Sequence, residues 1–239
     1  MENKKISIVI PARNEEKFIQ KTIESLKSAT VCPLEIIVVV NGSEDKTFKI
    51  AKQYATKALN FSEALGPSAA RNKGAKIATG EILIFLDADT EVSVNTIREI
   101  LKNFSFETVG VCSAEISEKL RDKKLRAKIF FAFKNFLHRA KFHKGSIALI
   151  FCSKEVFLRI NGFDEDMWVG ELNDFIKRAL ESGAKYKFLG SCYVVTSLRR
   201  YEKKWGYLKT ILFWVAWKIM KLFGRDQKIK KDYYKLSDK

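Results

Sequence analysis

The chain has 239 residues, 46% hydrophobic and 30% charged, which excludes a disordered or collagen-like protein and fits one large α/β domain or two small ones. Its formal net charge is +16, and all of the excess is in the second half: residues 1–115 carry 15 basic and 15 acidic side chains, and residues 116–239 carry 29 and 13. This distribution excludes an even coat of solubilising charge and favours an anionic partner for the second half, whether phosphate, nucleic acid or a membrane surface.

The pattern of cysteines and the length of the apolar segments indicate the cellular compartment of the protein. The four cysteines have no CxxC pair and no neighbouring His, which argues against a zinc site or a disulfide scaffold and favours a reducing cytoplasm. The N-terminus becomes polar after six apolar residues, so we expect a buried strand there and not a signal peptide. The longest candidate for a membrane span, 211–217, is seven residues, well short of the roughly 20 that a spanning helix needs. We therefore expect a protein that does not cross a bilayer.

The first 115 residues alternate between strand and helix patterns. Short apolar runs predict buried strands at 6–11, 34–40, 82–86 and 109–113. Apolar residues spaced three or four apart predict helices at 15–29 and 44–58, and Pro67 opens a third helix. This alternation predicts an α/β fold with a mostly parallel central sheet flanked by helices. In such sheets ligands bind at the carboxyl ends of the strands.

The second half has a different character. Residues 125–142 are predicted to form a basic and aromatic helix, and residues 171–182 a helix that ends before Gly183. Two short strands are predicted at 186–189 and 193–196, followed by a last helix over about 202–223 and a charged tail. There is no internal repeat or low-complexity linker. We expect a domain over 1–201, divided into a nucleotide-sugar half (1–115) and an acceptor half (116–201), with a basic amphipathic helix and tail at 202–239.

Two carboxylates, Asp87 and Asp89, follow the predicted strand 82–86. Side chains so placed can hold one divalent cation and the phosphates it bridges, although the same pattern is common in turns. Other segments surround this pair in a fixed order: VIPARNEEKFIQKTIESL, IIVVVNGSEDKT, GPSAARNKGA with TGE, and NGFDED followed by GELNDFIKRALESGAK. Together these segments closely resemble the family 2 glycosyltransferases.

The resemblance implies a GT-A fold and a donor that is a nucleotide-diphosphate sugar, UDP- or GDP-linked. It also implies a divalent metal and inversion at the anomeric carbon. Asp89 would ligate the metal, together with Asp87, and their all-oxygen ligation suits Mg²⁺ or Mn²⁺. Glu15 would lie near the nucleobase. The positions that match the donor-binding motifs are Pro11, Ala12, Arg13, Glu15, Asn41, Ser43, Arg71, Asp87 and Ala88.

At two of the positions that match the donor-binding motifs, the predicted role has an alternative. The family usually has an acidic pair before Gly-Ser, whereas this chain has Val40 and Asn41. Asn41 can still hydrogen-bond a base edge, but Val40 cannot, so the identity of the base stays open. The guanidinium of Arg71 suits ribose or diphosphate oxygens. Its alternative is a salt bridge that holds the loop to Asp87.

The catalytic base is where this chain departs most from the family pattern. Leu172 occupies the position at which family members carry the aspartate that acts as base, and an apolar side chain cannot accept a proton. We expect Glu171 to serve as base for a hydroxyl acceptor, with Asp174 behind it. The alternatives are an acceptor phosphate that is already ionised, or an inactive relative.

A basic element follows the last predicted strand. Thr196 to Arg200 reads TSLRR and looks like a TS-x-RR element found in a subgroup of short, soluble family 2 transferases. Arg199 and Arg200 would clamp the diphosphate leaving group; the alternative is a solvated basic turn. His138 and His143 have no carboxylate partner in the sequence pattern, and we interpret them as surface residues.

The composition of the predicted terminal helix indicates where in the cell the protein acts. Residues 205–223 interleave tryptophan and lysine, a composition typical of helices in a bilayer interface. A helix packed on the catalytic domain, or a homodimer contact, are the alternatives. We expect a cytoplasmic transferase, peripheral on the inner face of the cell membrane, with a lipid-linked acceptor and no nucleic-acid partner.

Two other classes of protein fit the sequence less well. A nucleotidyltransferase needs a glycine-rich loop after the first strand, and PARNEE has no glycine. A basic membrane- or nucleic-acid-binding module derived from an inactive transferase would have no reason to place Asp87 and Asp89 at a ligand-binding edge.

Overall fold

The computed structural model describes residues 4–31, 35–115, 125–140, 148–167 and 169–197. The strands in this part of the chain are β1 (Ile6–Ala12), β2 (Glu35–Asn41), β3 (Lys57–Phe61), β4 (Ile82–Leu86), β5 (Thr90–Val92), β6 (Thr108–Glu115), β7 (Leu149–Ser153) and β8 (Lys185–Thr196). The helices there are α1 (Ile19–Lys27), α2 (Thr47–Tyr54), α3 (Pro67–Ile77), α4 (Thr96–Asn103), α5 (Leu125–Arg139), α6 (Lys154–Arg159) and α7 (Glu171–Glu181).

The strands form one sheet in the order β3-β2-β1-β4-β7-β6-β8-β5. The pairs β1–β2, β2–β3, β1–β4 and β6–β8 are parallel, whereas β4–β7, β6–β7 and β5–β8 are antiparallel. The predicted α/β class is confirmed, with a mixed sheet. Because β7 reverses direction, β6 and β8 run the same way as β4, so the carboxyl ends of all the parallel strands lie at one edge.

The sheet is buried on both faces, as its sequence requires. Every residue of β2 and β4 is buried, and Ile8, Val9 and Ile10 of β1 are 0% exposed. Helices built from amphipathic segments cover it. No helix in the described part of the chain is long and apolar enough to span a membrane.

An aromatic cluster joins the turn before α7 to the centre of the sheet. The rings of Phe163 and Phe175 stack with centroids 4.3 Å apart, and Phe85 of β4 meets Phe163 edge to face at 4.8 Å. Phe157 packs against the same rings. Such contacts add to the free energy of burial, and here they hold the first turn of α7 beside the end of β4.

A buried carboxylate lies at the opposite, amino edge of the sheet. Glu35 accepts hydrogen bonds from Ser7 Oγ at 2.7 Å, from Lys57 Nζ at 2.6 Å and from the backbone N–H of Thr79. Burial alone would raise the pKa of Glu35, but these hydrogen bonds outweigh it and lower the pKa from 4.5 to about 2. The charged carboxylate therefore ties β1, β2, β3 and the loop before β4 together.

Several sequence predictions are corrected by the structure. The helix predicted at 44–58 ends at Tyr54, because Ala55 is extended and the chain then enters β3. The two strands predicted at 186–189 and 193–196 are one strand, β8, with a register irregularity where Leu189 and Tyr193 face Cys112 and Ser113. Five elements were not predicted: β3, β5, β7, α4 and α6.

The prediction that His138 is a surface residue is wrong. Its side chain is 3% exposed, and its Nδ1 lies 3.3 Å from the hydroxyl of Tyr186 on β8. Asn135 and Phe131 share this inner side of α5, which explains why a titratable residue is buried there. His143, like Arg199, Arg200 and the predicted helix over 202–223, lies outside the described residues.

Candidate functional site

The loops after β1 and β2 are bonded to each other at the carboxyl edge of the sheet. The backbone N–H of Asn14 donates to Ser43 Oγ at 3.0 Å, and Asn14 Oδ1 accepts from the backbone N–H of Glu44 at 3.0 Å. Asn41 closes the base of this pair of loops, because its amide donates to the carbonyl of Ala12 at 3.4 Å. Two loops that are far apart in sequence thus form one preorganised rim.

The same rim fixes two predicted donor-binding residues, Arg13 through its side chain and Glu15 through its backbone. Arg13 Nε donates to the carbonyl of Gly42 at 3.2 Å, and the backbone N–H of Glu15 donates to Thr47 Oγ1 at 2.8 Å. Gly42 has φ +71°, and a Cβ there would lie 2.8 Å from the backbone nitrogen of Ala64, so only glycine fits. Six of the predicted nucleoside positions therefore lie on β1, β2 and their two loops: Pro11, Ala12, Arg13, Glu15, Asn41 and Ser43.

The segment Asp87-Ala88-Asp89 lies between β4 and β5. The backbone N–H of Asp87 donates to the carbonyl of Ala148 at 3.0 Å, and the carbonyl of Ala88 accepts from Thr22 Oγ1 at 2.8 Å. Ala88 is buried, whereas Asp87 and Asp89 are half-buried. Anchors on both sides hold the loop while its two carboxylates remain partly accessible to solvent.

These carboxylates suit a hard divalent cation. Carboxylate oxygens are the ligands that Mg²⁺ and Mn²⁺ prefer. Among the described residues, no group of three or more His, Cys, Asp or Glu side chains is placed to hold a metal ion. Asp87 and Asp89 could supply part of a coordination shell, and substrate phosphates and water would complete it, as is usual for Mg²⁺.

Arg71 is the central cation of the site. It projects from α3, is 3% exposed, and donates from Nη2 to Asp87 Oδ1 at 2.9 Å and from Nη1 to Glu171 Oε1 at 3.0 Å. Its guanidinium carbon lies 5.5 Å from the centroid of the Phe163 ring. The salt bridge to Asp87, the alternative to donor binding by Arg71, is present, and the structure adds the bond to Glu171, which no local sequence pattern indicated.

The start of α7 places Glu171 in this network. Gly170, the residue before the helix, has φ 76°, a left-handed conformation that favours glycine. Glu171 is 9% exposed, and burial raises the pKa of its carboxyl while the charge of Arg71 opposes that rise. Leu172 packs against the hydrophobic core. The structure thus brings Glu171, but not Leu172, to the edge where Asp87 lies.

Asp174 is held in a different set of contacts. Its Oδ2 accepts from Arg178 Nε at 2.7 Å, and Arg178 Nη1 donates to the carbonyls of Ile160 and Gly162 at 2.7 and 2.8 Å. This arrangement fixes the turn before α7. Of the two predicted catalytic carboxylates, Glu171 is the one that contacts Arg71.

Asn72 is a site residue that the sequence interpretation missed. Its Oδ1 accepts from the backbone N–H of Phe163 at 2.9 Å, and its Nδ2 donates to the Phe163 carbonyl at 2.8 Å and to Glu165 Oε1 at 3.0 Å. Ser68 Oγ on the same helix donates to the carbonyl of Met167 at 2.7 Å. Helix α3 therefore holds the turn that leads to Glu171. The one available signal was the position of Asn72 beside Arg71.

The end of β8 lies beside the strand that follows the loop with Asp87 and Asp89. Thr196 is the register partner of Thr90, the residue that follows Asp89. The chain therefore leaves β8 next to β5. Arg199 and Arg200, three and four residues farther on, are outside the described part of the chain.

The comparisons with known proteins agree with this geometry. The family model described as glycosyl transferase family 2 matches residues 7–166. The glycosyltransferase AglE of Haloferax volcanii is 28% identical over 193 residues, which cover 77% of this chain and 64% of AglE. The chain spans 34%, 64% and 33% of the lengths of three curated glycosyltransferase relatives.

Solved structures show the same fold. The mannosyltransferase PcManGT of Pyrobaculum calidifontis, solved with GDP-Man and Mn²⁺, has a TM-score of 0.68 and 18% identity, with 82% of this chain and 58% of PcManGT covered. TarS of S. aureus, solved with UDP-GlcNAc, has a TM-score of 0.61 and 20% identity, with 81% and 59% covered. The chain belongs to glycosyl transferase family 2 and has the GT-A fold.

Proposed function

We propose that this member of glycosyl transferase family 2 moves a sugar from a nucleotide-diphosphate sugar to an acceptor. The observation that supports this most is the bridge through Arg71, which links Asp87 at the metal-binding loop to Glu171 at the start of α7. A transferase needs its donor phosphates and its base within the reach of one sugar, and this bridge joins the two groups through one guanidinium. A binding module has no use for that arrangement.

The donor is proposed to lie across the rim formed by the loops after β1 and β2. Asn41 is 3% exposed and lies at the base of that rim, where its amide donates to the carbonyl of Ala12, and it is proposed to hydrogen-bond a nucleobase edge. Relatives of the same fold have been solved with UDP-GlcNAc and with GDP-Man, so both UDP- and GDP-linked sugars are candidates.

The diphosphate is proposed to lie against Asp87 and Asp89, which would hold Mg²⁺ or Mn²⁺. When bound, such a cation neutralises charge on the departing diphosphate. Asp89 is assigned as a direct ligand, with Asp87 beside it. Arg199 and Arg200 are proposed to add positive charge at the same group.

Glu171 is proposed as the general base. The acceptor hydroxyl transfers its proton to the Glu171 carboxylate as its oxygen attacks the anomeric carbon, and the bond from that carbon to the phosphate oxygen breaks. The nucleoside diphosphate leaves with the bonding electrons, and the configuration at the carbon inverts. Arg71 holds Oε1, so Oε2 is the assigned proton acceptor. The burial that raises the Glu171 pKa favours this role.

The acceptor is proposed to be lipid-linked, and the protein to work as a peripheral protein at the cytoplasmic face of the membrane. The support is the charge of residues 116–239, which carry 29 basic and 13 acidic side chains. The tryptophan-rich segment 205–223 is proposed to contribute to this contact, with a homodimer contact as its alternative. An acceptor phosphate that is already ionised would not need Glu171 as base.

Release of nucleoside diphosphate tests the proposal. The protein is incubated with UDP- and GDP-linked sugars with and without Mn²⁺, and slow hydrolysis of one donor is expected even without acceptor. The protein would be a binding module instead if it binds these donors but releases no nucleotide from any of them, even when a lipid-phosphate acceptor is added.

A further inference from the structure

Helix α5 follows β6 in the chain and precedes β7. Asn135 of this helix contacts Ala114, near the carboxyl end of β6, and His138 contacts Tyr186, near the start of β8. The helix therefore runs along the part of the sheet that β6 and β8 form.

One side of α5 is fixed against the domain. Asn135 makes two hydrogen bonds of 3.0 Å with the backbone of Ala114: its Oδ1 accepts from the Ala114 N–H, and its Nδ2 donates to the Ala114 carbonyl. Phe131 is 3% exposed on the same side, and His138 lies against Tyr186. A rotation of the helix would leave the Ala114 backbone groups without these partners, which costs about 1–3 kcal/mol for each buried group. The rotational setting of α5 is thereby determined.

The opposite side of α5 presents large apolar side chains to solvent. Ile129, Phe133 and Phe136 are 61%, 59% and 62% exposed. Their spacing of four and three residues places them in one stripe along the helix. The inner residues Phe131 and Asn135 have spacings that place them on the other side. The apolar stripe of this helix therefore faces solvent, whereas a helix that only covers a core turns its apolar stripe toward the core.

The sequence around this stripe is strongly basic. Between residues 119 and 144, Lys and Arg outnumber Asp and Glu ten to one. An apolar stripe in a basic segment is the pattern of helices that lie in the interface of an anionic bilayer. A second copy of this chain is a poor partner for the same face, because two such segments would repel each other.

We propose that the outer side of α5, through Ile129, Phe133 and Phe136, docks on the surface of an anionic lipid bilayer. The apolar rings enter the boundary between headgroups and acyl chains, and the surrounding basic residues attract the anionic headgroups. Docking there would hold the domain at the bilayer that carries a lipid-linked acceptor, a consequence that rests on the proposed function. The docking itself does not, so it is tested without turnover.

The test is sedimentation of the full chain with vesicles of phosphatidylglycerol and phosphatidylcholine at low salt. We expect wild-type protein to bind these vesicles, to bind pure phosphatidylcholine vesicles weakly, and to dissociate as salt rises. The double variant Phe133→Ser, Phe136→Ser should bind at least tenfold more weakly. The matched control is Leu158→Ser on α6, where a side chain that is 65% exposed lies outside the proposed surface and should not affect binding.

Three outcomes would overturn the proposal: no binding by wild type, equal binding by the double variant, or equal loss in the Leu158→Ser control. A wild-type dimer that becomes a monomer in the double variant, with vesicle binding unchanged, would assign the stripe to self-association. Folding is checked by thermal unfolding, and Ile129→Ser replaces the double variant if that unfolds. Glu171→Gln should bind vesicles like wild type, which separates failure of this proposal from failure of the proposed activity.

Discussion

The carboxylate of Glu171 accepts a hydrogen bond of 3.0 Å from Arg71, a residue one hundred positions earlier in the chain. The same guanidinium bonds Asp87 at 2.9 Å. One buried cation thus compensates two carboxylates that come from different parts of the sequence. Removing any member of this set changes the electrostatic environment of the other two.

Arg71→Gln should destabilise the protein by about 3–5 kcal/mol, because it leaves Glu171 buried without its charge partner. The measurement is the free energy of unfolding in urea. The matched control is Arg159→Gln, which removes the ion pair with Glu107 at the surface and should leave the urea midpoint close to that of wild type. Equal effects of the two substitutions would show that the bridge does not stabilise the fold.

Glu171→Gln should lower the turnover of a hydroxyl acceptor by a hundredfold or more, because glutamine keeps the shape but cannot take the proton. Binding of the nucleotide donor should persist, and it is measured separately. Asp174→Asn is the matched control, and its activity should change far less because Asp174 is paired with Arg178. The reverse ranking would assign the base to Asp174. An unaffected rate in both variants would indicate an acceptor that arrives already ionised.

Asp89→Ala should abolish turnover and metal-dependent nucleotide binding while the fold survives. The physical reason is the loss of a hard oxygen ligand at a site where the described residues supply few others. Titration calorimetry with nucleotide and Mn²⁺ measures the binding. Glu91→Ala, two residues farther along and exposed on β5, removes the same charge and should bind nucleotide normally. Activity like wild type in Asp89→Ala would contradict the assigned metal site.

The hydrogen bonds of Glu35 should make stability dependent on pH in acid. The folded pKa is about 2 and the ordinary value is 4.5, so its stabilisation is complete above pH 4.5 and disappears as pH falls to about 2. The shift corresponds to about 3 kcal/mol. The free energy of unfolding of wild type and of Glu35→Gln is compared from pH 6 to pH 2. The difference between them should shrink over that range, and a constant difference would contradict the assignment.

The parts of the fold that could be predicted are those encoded by local patterns. The strands β1, β2 and β4 are continuous apolar runs, and Pro67 marks the start of α3, so their positions were found within one or two residues. Strand β3 was missed, and its first two residues were included in the helix predicted at 44–58, because none of its five residues is buried and they form no apolar run. Its identity depends on pairing with β2, which no local pattern records.

The residues of the candidate site also divide into those that local sequence patterns predict and those that only the folded structure brings together. The residues at the carboxyl ends of strands, such as Asn41 and Asp87, were predicted because the ends of parallel strands meet at one edge. The bond between Arg71 and Glu171 was not, because it depends on how Phe163 and Phe175 pack beneath it. His138 was misplaced for a related reason: its burial comes from Tyr186, 48 residues later.

The pairing of β5 with β8 determines when the proposed donor site can be completed during synthesis. Thr90 pairs with Thr196 and Val92 with Val194, so β5 has to wait for the end of the last strand. At a ribosomal rate of about 5–20 residues per second, that delay is roughly 5–20 s. Throughout it, the loop with Asp87 and Asp89 is held by β4 but not yet by β5. A nascent chain can therefore complete β1, β2 and β4 early, but the proposed metal and donor site gains the support of the β5–β8 pair only after residue 196 has left the ribosome.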